Sequence, residues 1–323
     1  MTLRAALILL AVSAALLSAG CGSGDDESSP APAPGGSGAA AITRDAANAR
    51  TTITLGTKNF TEQQVLGEVY AQGLEAAGFR VERDFNLGDE QVAFRSVRRR
   101  DIDAYPEYTG TALLSLCDVD TADVPKDPRR AYAQTRDCLA RDGLTAFPPT
   151  PFTSSNEVAV RRETAQQLGL RRIADLARVD QDVTLFGSPE CEQRLDCLLG
   201  LRRVYGLEFE RFRPVDVALR HEVLNRNRED ASIVFTTDPQ NDREGLVLLE
   251  DDRQMFPPYN STLVVRDDVA RAAGPGLPRL LERLQEGLTD RTMRELNARV
   301  DLDKETPAQA AGGYLRETGL VTG

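Results

Sequence analysis

One histidine, three lysines and no Cys-x-x-Cys spacing leave this chain poor in the side chains that hold metals or act as nucleophiles. The histidine, His221, has no ligand-type neighbours at metal spacing, so no metal site is expected. No Gly-x-Ser-x-Gly, no nucleotide-binding glycine loop and no histidine paired with Cys or Ser occurs, so neither an enzyme nor a bound cofactor is expected. Net positive charge is missing too: the formal charge is −11 over 323 residues. Phosphate backbones would be repelled, which removes nucleic acid as a partner. The scarce lysines, Lys58, Lys126 and Lys304, leave positive charge almost wholly to Arg, a bias of composition that says nothing about mechanism. One apolar run, Ala5 to Leu17, stands at the N-terminus. It is shorter than the roughly 20 residues a membrane-crossing helix needs.

What is present begins with that run. Arg4, the apolar stretch and the small residues Ser18, Ala19 and Gly20 before Cys21 form an export signal. Leu17-Ser18-Ala19-Gly20-Cys21 looks like a bacterial lipobox, with Ser18 where a large aliphatic residue is usual. On that reading residues 1–21 are a lipoprotein signal peptide. Cys21 is then diacylated, and a lipid anchor is the chain's only membrane contact, on the outer face of the cell membrane. Residues 22–50 are Gly, Ser, Pro, Ala and Asp with almost no large apolar side chain, so they read as a disordered tether. A flexible segment of about 29 residues has a reach of roughly 30 Å. Cys117, Cys138, Cys191 and Cys197 make an even set in an oxidising compartment, and two disulfides are expected. Three pairings are open, and the sequence-local one, Cys117 with Cys138 and Cys191 with Cys197, is favoured.

From Thr52 onward strand and helix patterns alternate, as in an α/β sheet protein. Thr52–Gly56 reads as a strand. A helix then opens at Thr61, where Thr61 and Gln64 fit a capping box, and Gly78 ends it. Gln91–Arg99 reads as helix and Ile102–Tyr105 as a further strand. Three stretches concentrate rings and polar groups where open α/β sheets place ligands: Gly56–Gln63, Tyr105–Thr111 and Phe256–Ser261. Lys58 precedes a helix N-terminus, which favours an anion. Thr109 and Thr111 offer hydroxyls, and Tyr259 stands behind a stiff Pro-Pro. Tyr105 reads as structural, and His221 as an exposed helical residue.

Taken in order and spacing, Gly56–Gln63, Asn86-Leu87-Gly88, Ile102-Asp103, Tyr105–Leu113, Val158–Arg162, Thr236-Thr237-Asp238, Leu249–Asp252 and Phe256–Tyr259 resemble the osmoprotectant-binding proteins of ABC transporters. Those proteins take glycine betaine, choline or carnitine. The resemblance implies a two-lobed periplasmic-binding fold of type II, with discontinuous lobes joined by two hinge crossings. Lobe I would comprise residues 52–152 plus 259–323, and lobe II residues 153–258. It also implies an aromatic box of Tyr108, Tyr259 and Phe235, the last where a tyrosine is usual, with Lys58, Thr111 and Arg194 gripping a ligand carboxylate. Two positions depart from the family pattern: Asn156 replaces a box tyrosine, and Asp89-Glu90 replaces Gly-Thr. Should the ligand have no carboxylate, Asp89 or Glu90 would offset the charge of Lys58 and Arg194.

Rings suit such a ligand because a methylated ammonium has no N–H to donate, whereas a ring face offers negative quadrupole and apolar contact together. Three rings at about 1–2 kcal/mol each supply about 3–6 kcal/mol, against about 8 kcal/mol for micromolar binding. The implied partners are a small quaternary-ammonium or zwitterionic ligand and the permease and ATPase subunits of an importer. Two other readings stand beside this one: a different cationic or amino-acid-like ligand, such as ergothioneine or a polyamine, and a sensory surface protein without transport.

Overall fold

A computed structural model describes residues 40–226 and 230–322. The signal segment, Cys21 and residues 22–39 lie outside the described residues. Lobe I begins with β1 (Thr52–Gly56), β2 (Arg80–Asp84), β3 (Ala104–Tyr108) and β4 (Leu144–Ala146). The chain then crosses to lobe II for β5 (Asn156–Arg161), β6 (Thr184–Gly187), β7 (Arg211–Pro214), β8 (Ala231–Phe235) and β9 (Leu246–Leu248), and returns for β10 (Ser261–Arg266). Each lobe carries a five-stranded sheet, in the orders β2-β1-β3-β10-β4 and β7-β6-β8-β5-β9. The two sheets repeat one plan, with parallel pairs on one side and antiparallel pairs on the other. That plan is the α/β architecture the alternating patterns call for.

Burial follows position in the sheet. Central β3 is buried along its whole length, whereas edge strand β2 is mostly exposed. The apolar pattern ends the third strand at Tyr105, yet β3 runs to Tyr108 because β10 pairs with it from Ala104 to Tyr108. Pro106 has no N–H to give, and it is tolerated in a central strand because β1 pairs with β3 only at Ala104. Beyond that point the two strands are linked by side chains, Lys58 after β1 donating to Glu107 of β3.

Helix α1 (Thr61–Ala76) buries Val65, Leu66, Val69, Tyr70 and Leu74. It packs on the C-terminal helices Leu277–Gln285, Asp290–Asp301 and Pro307–Glu317. Its start corrects the expected capping box. Phe60 holds the N-cap position without a side-chain cap, and the Thr61 hydroxyl donates to Asp301 Oδ1 at 2.6 Å instead. A second correction concerns the tether, whose last residues are ordered: Ala46–Arg50 form a helical turn. Ile42 N–H donates to Leu320 O at 2.8 Å and Asn48 Nδ2 to Ala77 O at 2.8 Å. Ile42 is the apolar anchor that the composition of this stretch obscures, and it packs against the main core.

Residues 147–155 and 249–260 make the two crossings, and they lie side by side through a bridge between Thr153 and Asn260. Ser154 N–H donates to Tyr259 O at 3.2 Å, and Asn260 Nδ2 to Phe152 O at 3.0 Å. Asp251 ties down the start of the second crossing. Its carboxylate accepts from the Tyr205 hydroxyl at 2.5 Å, Met255 N–H at 2.9 Å and Phe256 N–H at 2.7 Å. Disulfides join Cys117 to Cys138 and Cys191 to Cys197.

Burial, and then the charge of Asp251, push the carboxyl of Glu157 on β5 up to about 8 from 4.5. A raised carboxyl favours the protonated folded form, so its contribution is complete below about pH 4.5 and fades as pH climbs through about 8. Glu157→Gln should therefore lose less thermal stability than the parent between pH 5 and 9. Parallel unfolding curves for the two proteins across that range would refute this account.

Candidate functional site

The loops after β1, β3, β6 and β8 converge with the second crossing on the seam between the lobes, where three linked groups of side chains meet. In lobe I, Lys58 follows β1 and is 4% exposed. Its ammonium donates to Glu107 Oε1 at 2.5 Å and lies 4.7 Å from the centre of the Tyr108 ring. The Tyr108 hydroxyl donates to Glu62 Oε1 at 2.6 Å, and its ring stacks at 6.3 Å on Phe60. Burial raises the carboxyls of Glu62 and Glu107, opposed by hydrogen bonds to Glu62 and by Lys58 at Glu107.

The second group bridges the lobes. Cys191–Cys197 closes a short loop that carries Arg194 and Asp196 together. Arg194 grips Asp196 with Nε at 2.8 Å and Nη2 at 2.6 Å, and its Nη1 reaches Glu90 of lobe I at 3.2 Å. Asp196 also accepts from the Tyr259 hydroxyl at 2.6 Å and from Asn156 Nδ2 at 3.1 Å. Burial pushes this carboxyl up, but the charge and hydrogen bonds of Arg194 outweigh it and hold the group below the usual carboxylate range. The Tyr259 hydroxyl is raised well above its ordinary value by burial and then by Asp196, so it stays a donor.

In lobe II, the ring of Phe235 lies 5.3 Å from Phe60 of lobe I. The guanidinium of Arg220 stacks 3.8 Å from the centre of the Phe235 ring and pairs with Asp238. His221 is buried beside them, 3.0 Å from Asn241, and burial lowers its pKa. The exposed helical place expected for His221 is thus corrected: the helix Arg220–Arg226 turns this residue inward.

Of the nine expected ligand residues, Lys58, Glu90, Tyr108, Asn156, Arg194, Phe235 and Tyr259 come together at the seam. Asp89 lines a cavity with Glu90 and Arg194, while its carboxylate accepts from Val92 N–H at 2.8 Å and caps helix α2 (Glu90–Arg99). Thr111 is buried in the turn after β3. A fourth ring stands beside the three expected ones. Phe60 stands between Tyr108 and Phe235, while the Tyr259 hydroxyl turns to Asp196. Lys58 and Arg194, expected to grip a ligand carboxylate, are each paired with carboxylates of the protein. Glycine at position 110 lets the Pro-Pro-Tyr segment approach, since a methyl there would fall 2.6 Å from Pro257 and 3.0 Å from Tyr259.

Phe60, Glu62, Glu107, Asp196, Arg220 and Asp238 also stand at this seam, beyond the residues that the sequence singles out. Four of them sit inside quoted stretches: Phe60 and Glu62 in Gly56–Gln63, Glu107 in Tyr105–Thr111, and Asp238 after Thr236-Thr237. Asp196 and Arg220 lie in stretches with no distinguishing pattern of their own.

Two sheets joined by paired crossings, with charged groups and rings gathered where the lobes meet, define a two-lobed solute-binding protein. Residues 51–317 match the family described as the substrate binding domain of ABC-type glycine betaine transport systems, and the chain belongs to that family. It is the extracytoplasmic substrate-binding component of an ABC importer, not an enzyme. A glycine-betaine-binding protein of Pseudomonas aeruginosa is 34% identical, over 84% of this chain and 89% of that one. A Helicobacter pylori protein named ergothioneine transport permease/ergothioneine binding protein EgtU is 29% identical over 86% of this chain and 50% of its own length. The crystal structure titled glycine betaine/carnitine/choline ABC transporter superposes with a TM-score of 0.66 at 24% identity, covering 82% of this chain and 98% of that one. The type II periplasmic-binding fold follows from that likeness.

Breaking a buried ion pair from one side strands the partner charge. Asp196→Ala should lower unfolding stability by about 3 kcal/mol, read by urea denaturation. A loss below about 1 kcal/mol would show that Glu90 and solvent suffice for Arg194.

Proposed function

We propose that the protein captures a small quaternary-ammonium compound, glycine betaine, choline, carnitine or a close relative, between its lobes. It then delivers the ligand to the permease and ATPase subunits of its importer. The observation that carries this reading is the meeting of rings from opposite lobes, Phe60 and Phe235, beside buried carboxylates. A methylated cation is held by such surroundings, and water is the poorer host once the rings are desolvated. The name of the P. aeruginosa relative supports the same ligand class.

Tyr108 is the ring to test, because it touches Phe60, Lys58 and Glu62 at once. Tyr108→Ala should weaken the best of the three ligands about tenfold in calorimetry, and Tyr108→Phe much less, since the ring remains. Unchanged affinity in Tyr108→Ala would take this residue out of the site. A second reading is favoured by the H. pylori relative: ergothioneine, a betaine with a thione-bearing ring. A thermal-shift screen over all four compounds separates the two, because the tightest ligand gives the largest stabilisation at equal concentration.

Export and anchoring complete the proposal. The chain is held at the outer face of the membrane by acyl groups on Cys21, through a tether that ends before Ile42. Cys21→Ser should move the protein from the membrane fraction to the soluble fraction. Membrane retention by that variant would argue against the anchor.

A further inference from the structure

Among the described residues, Glu62, Glu90, Glu107, Asp196 and Asp238 stand at the seam between the lobes, and four of these five face a cation. Glu107 has Lys58, Glu90 and Asp196 share Arg194, and Asp238 has Arg220. Glu62 is the exception. At 2% exposed, its bonds come from neutral donors: the Tyr108 hydroxyl at 2.6 Å and Asn297 Nδ2 at 3.0 Å, with the hydroxyls of Thr237 and Ser154 close by. Neutral donors lower the cost of burying a carboxylate but supply no counter-charge, so burial pushes this carboxyl toward its protonated form, and a cation arriving beside it would hold it ionised.

Glu62 also lines a cavity of about 330 Å3 between the lobes. That volume lies in the range of small-molecule sites. Phe60 and Phe235 contribute apolar walls from opposite lobes. Asn297 and Gln240 line it too, and each carries a buried amide oxygen with no donor. Of the two cations on its wall, Arg220 is ion-paired with Asp238 and stacked on Phe235, whereas Lys304 is exposed and donates to the backbone carbonyl of Asp301 at 2.6 Å. Among the described residues, the cavity therefore presents rings, unsatisfied acceptor oxygens and two carboxylates bonded by neutral donors alone: Glu62, which is buried, and the partly exposed Asp301, which accepts from Thr61 and Gln240.

We infer that this cavity receives the cationic head of the ligand, with Glu62 as its counter-charge and Phe60 as a ring wall supplied by lobe I. The inference rests on the proposed quaternary-ammonium ligand and assigns that ligand's head to a place and a partner. It adds Glu62 and Phe60 to the specificity-determining residues. It also explains how Phe235 serves although Arg220 takes one of its faces: the ring contributes its remaining surface to the wall.

The test uses the tightest binder among glycine betaine, choline and carnitine, called the charged compound for its ammonium head, together with the isostere in which carbon replaces the quaternary nitrogen, so that the head alone loses its charge. Calorimetry is run on the chain from residue 40. The parent protein should prefer the charged compound at least thirtyfold. Glu62→Gln keeps the shape and most hydrogen bonds, and should weaken the charged compound about thirtyfold while changing the isostere less than threefold. A Glu62→Gln protein that still prefers the charged compound thirtyfold overturns the inference, and so does an equal loss for both compounds, which would mean a merely structural residue. If Glu62→Gln does not fold, Phe60→Leu decides: a fivefold or greater fall in the preference supports the placement, and an unaltered preference refutes it. Failure of the parent to bind any of the three charged compounds is a different result and counts against the ligand class itself.

Discussion

Removing ionised groups from water costs several kcal/mol for each ion, and that cost is offset only where every group finds well-placed partners. In this protein the partners come from both lobes and from a crossing. Asp196 belongs to lobe II, its donor Tyr259 to the second crossing, and Glu90, at the far end of Arg194, to lobe I. Asn156 completes the set from the first strand after the first crossing. Arg194 and Asp196 pair within one loop, and Glu90 and Tyr259 add the bonds that tie this pair to lobe I and to the second crossing. The short disulfide loop contributes by keeping Arg194 and Asp196 in reach of each other whatever the lobes do.

The crossings turn that local chemistry into a property of the whole molecule. Thr153 and Asn260 pair the two connecting segments, Asp251 anchors one of them, and Gly110 lets the Pro257-Pro258-Tyr259 run press against the loop after β3. The proposed ligand residues thus sit on the same segments that would bend if the lobes moved, and a contact made by Tyr259 is felt directly at a hinge. Ring faces follow the same economy of position. Lys58 lies over Tyr108 and Arg220 over Phe235, so the protein's own cations occupy ring faces that the family resemblance assigns to a ligand. Glu62, by contrast, is bonded by neutral donors alone.

Much of this was legible from residue order. The strand and helix alternation after Thr52 is carried by Ile53, Leu55 and the stripe Val65, Leu66, Val69, and the same residues are the buried ones. Lys58, Tyr108 and Tyr259 stood out because rings and charges beside Pro and Gly at strand ends are unusual in loops that only connect. Other features were hidden for physical reasons. Asp89 and Glu90 are adjacent carboxylates with equal claims in sequence, yet one sits at an N-cap and the other faces Arg194, a distinction set by where α2 begins. Asp196 is one acid among many until the fold brings Arg194, Asn156 and Tyr259 around it. Thr61 fits a capping box on paper, and only the arrival of Asp301, distant in the chain, diverts its hydroxyl.

Residue order by itself determined the class of fold, the order of its elements, the family and the set of ring and charge-bearing loops, because local periodicity and short motifs depend on neighbours within a few positions. Tertiary structure decided which charges neutralise one another, which ring faces the protein's own cations cover and which carboxylates are left without a cation. Those outcomes depend on distances between residues far apart in the chain, such as Glu62 and Asn297 or Glu90 and Arg194, and electrostatic pairing at a few ångströms has no signature in sequence spacing.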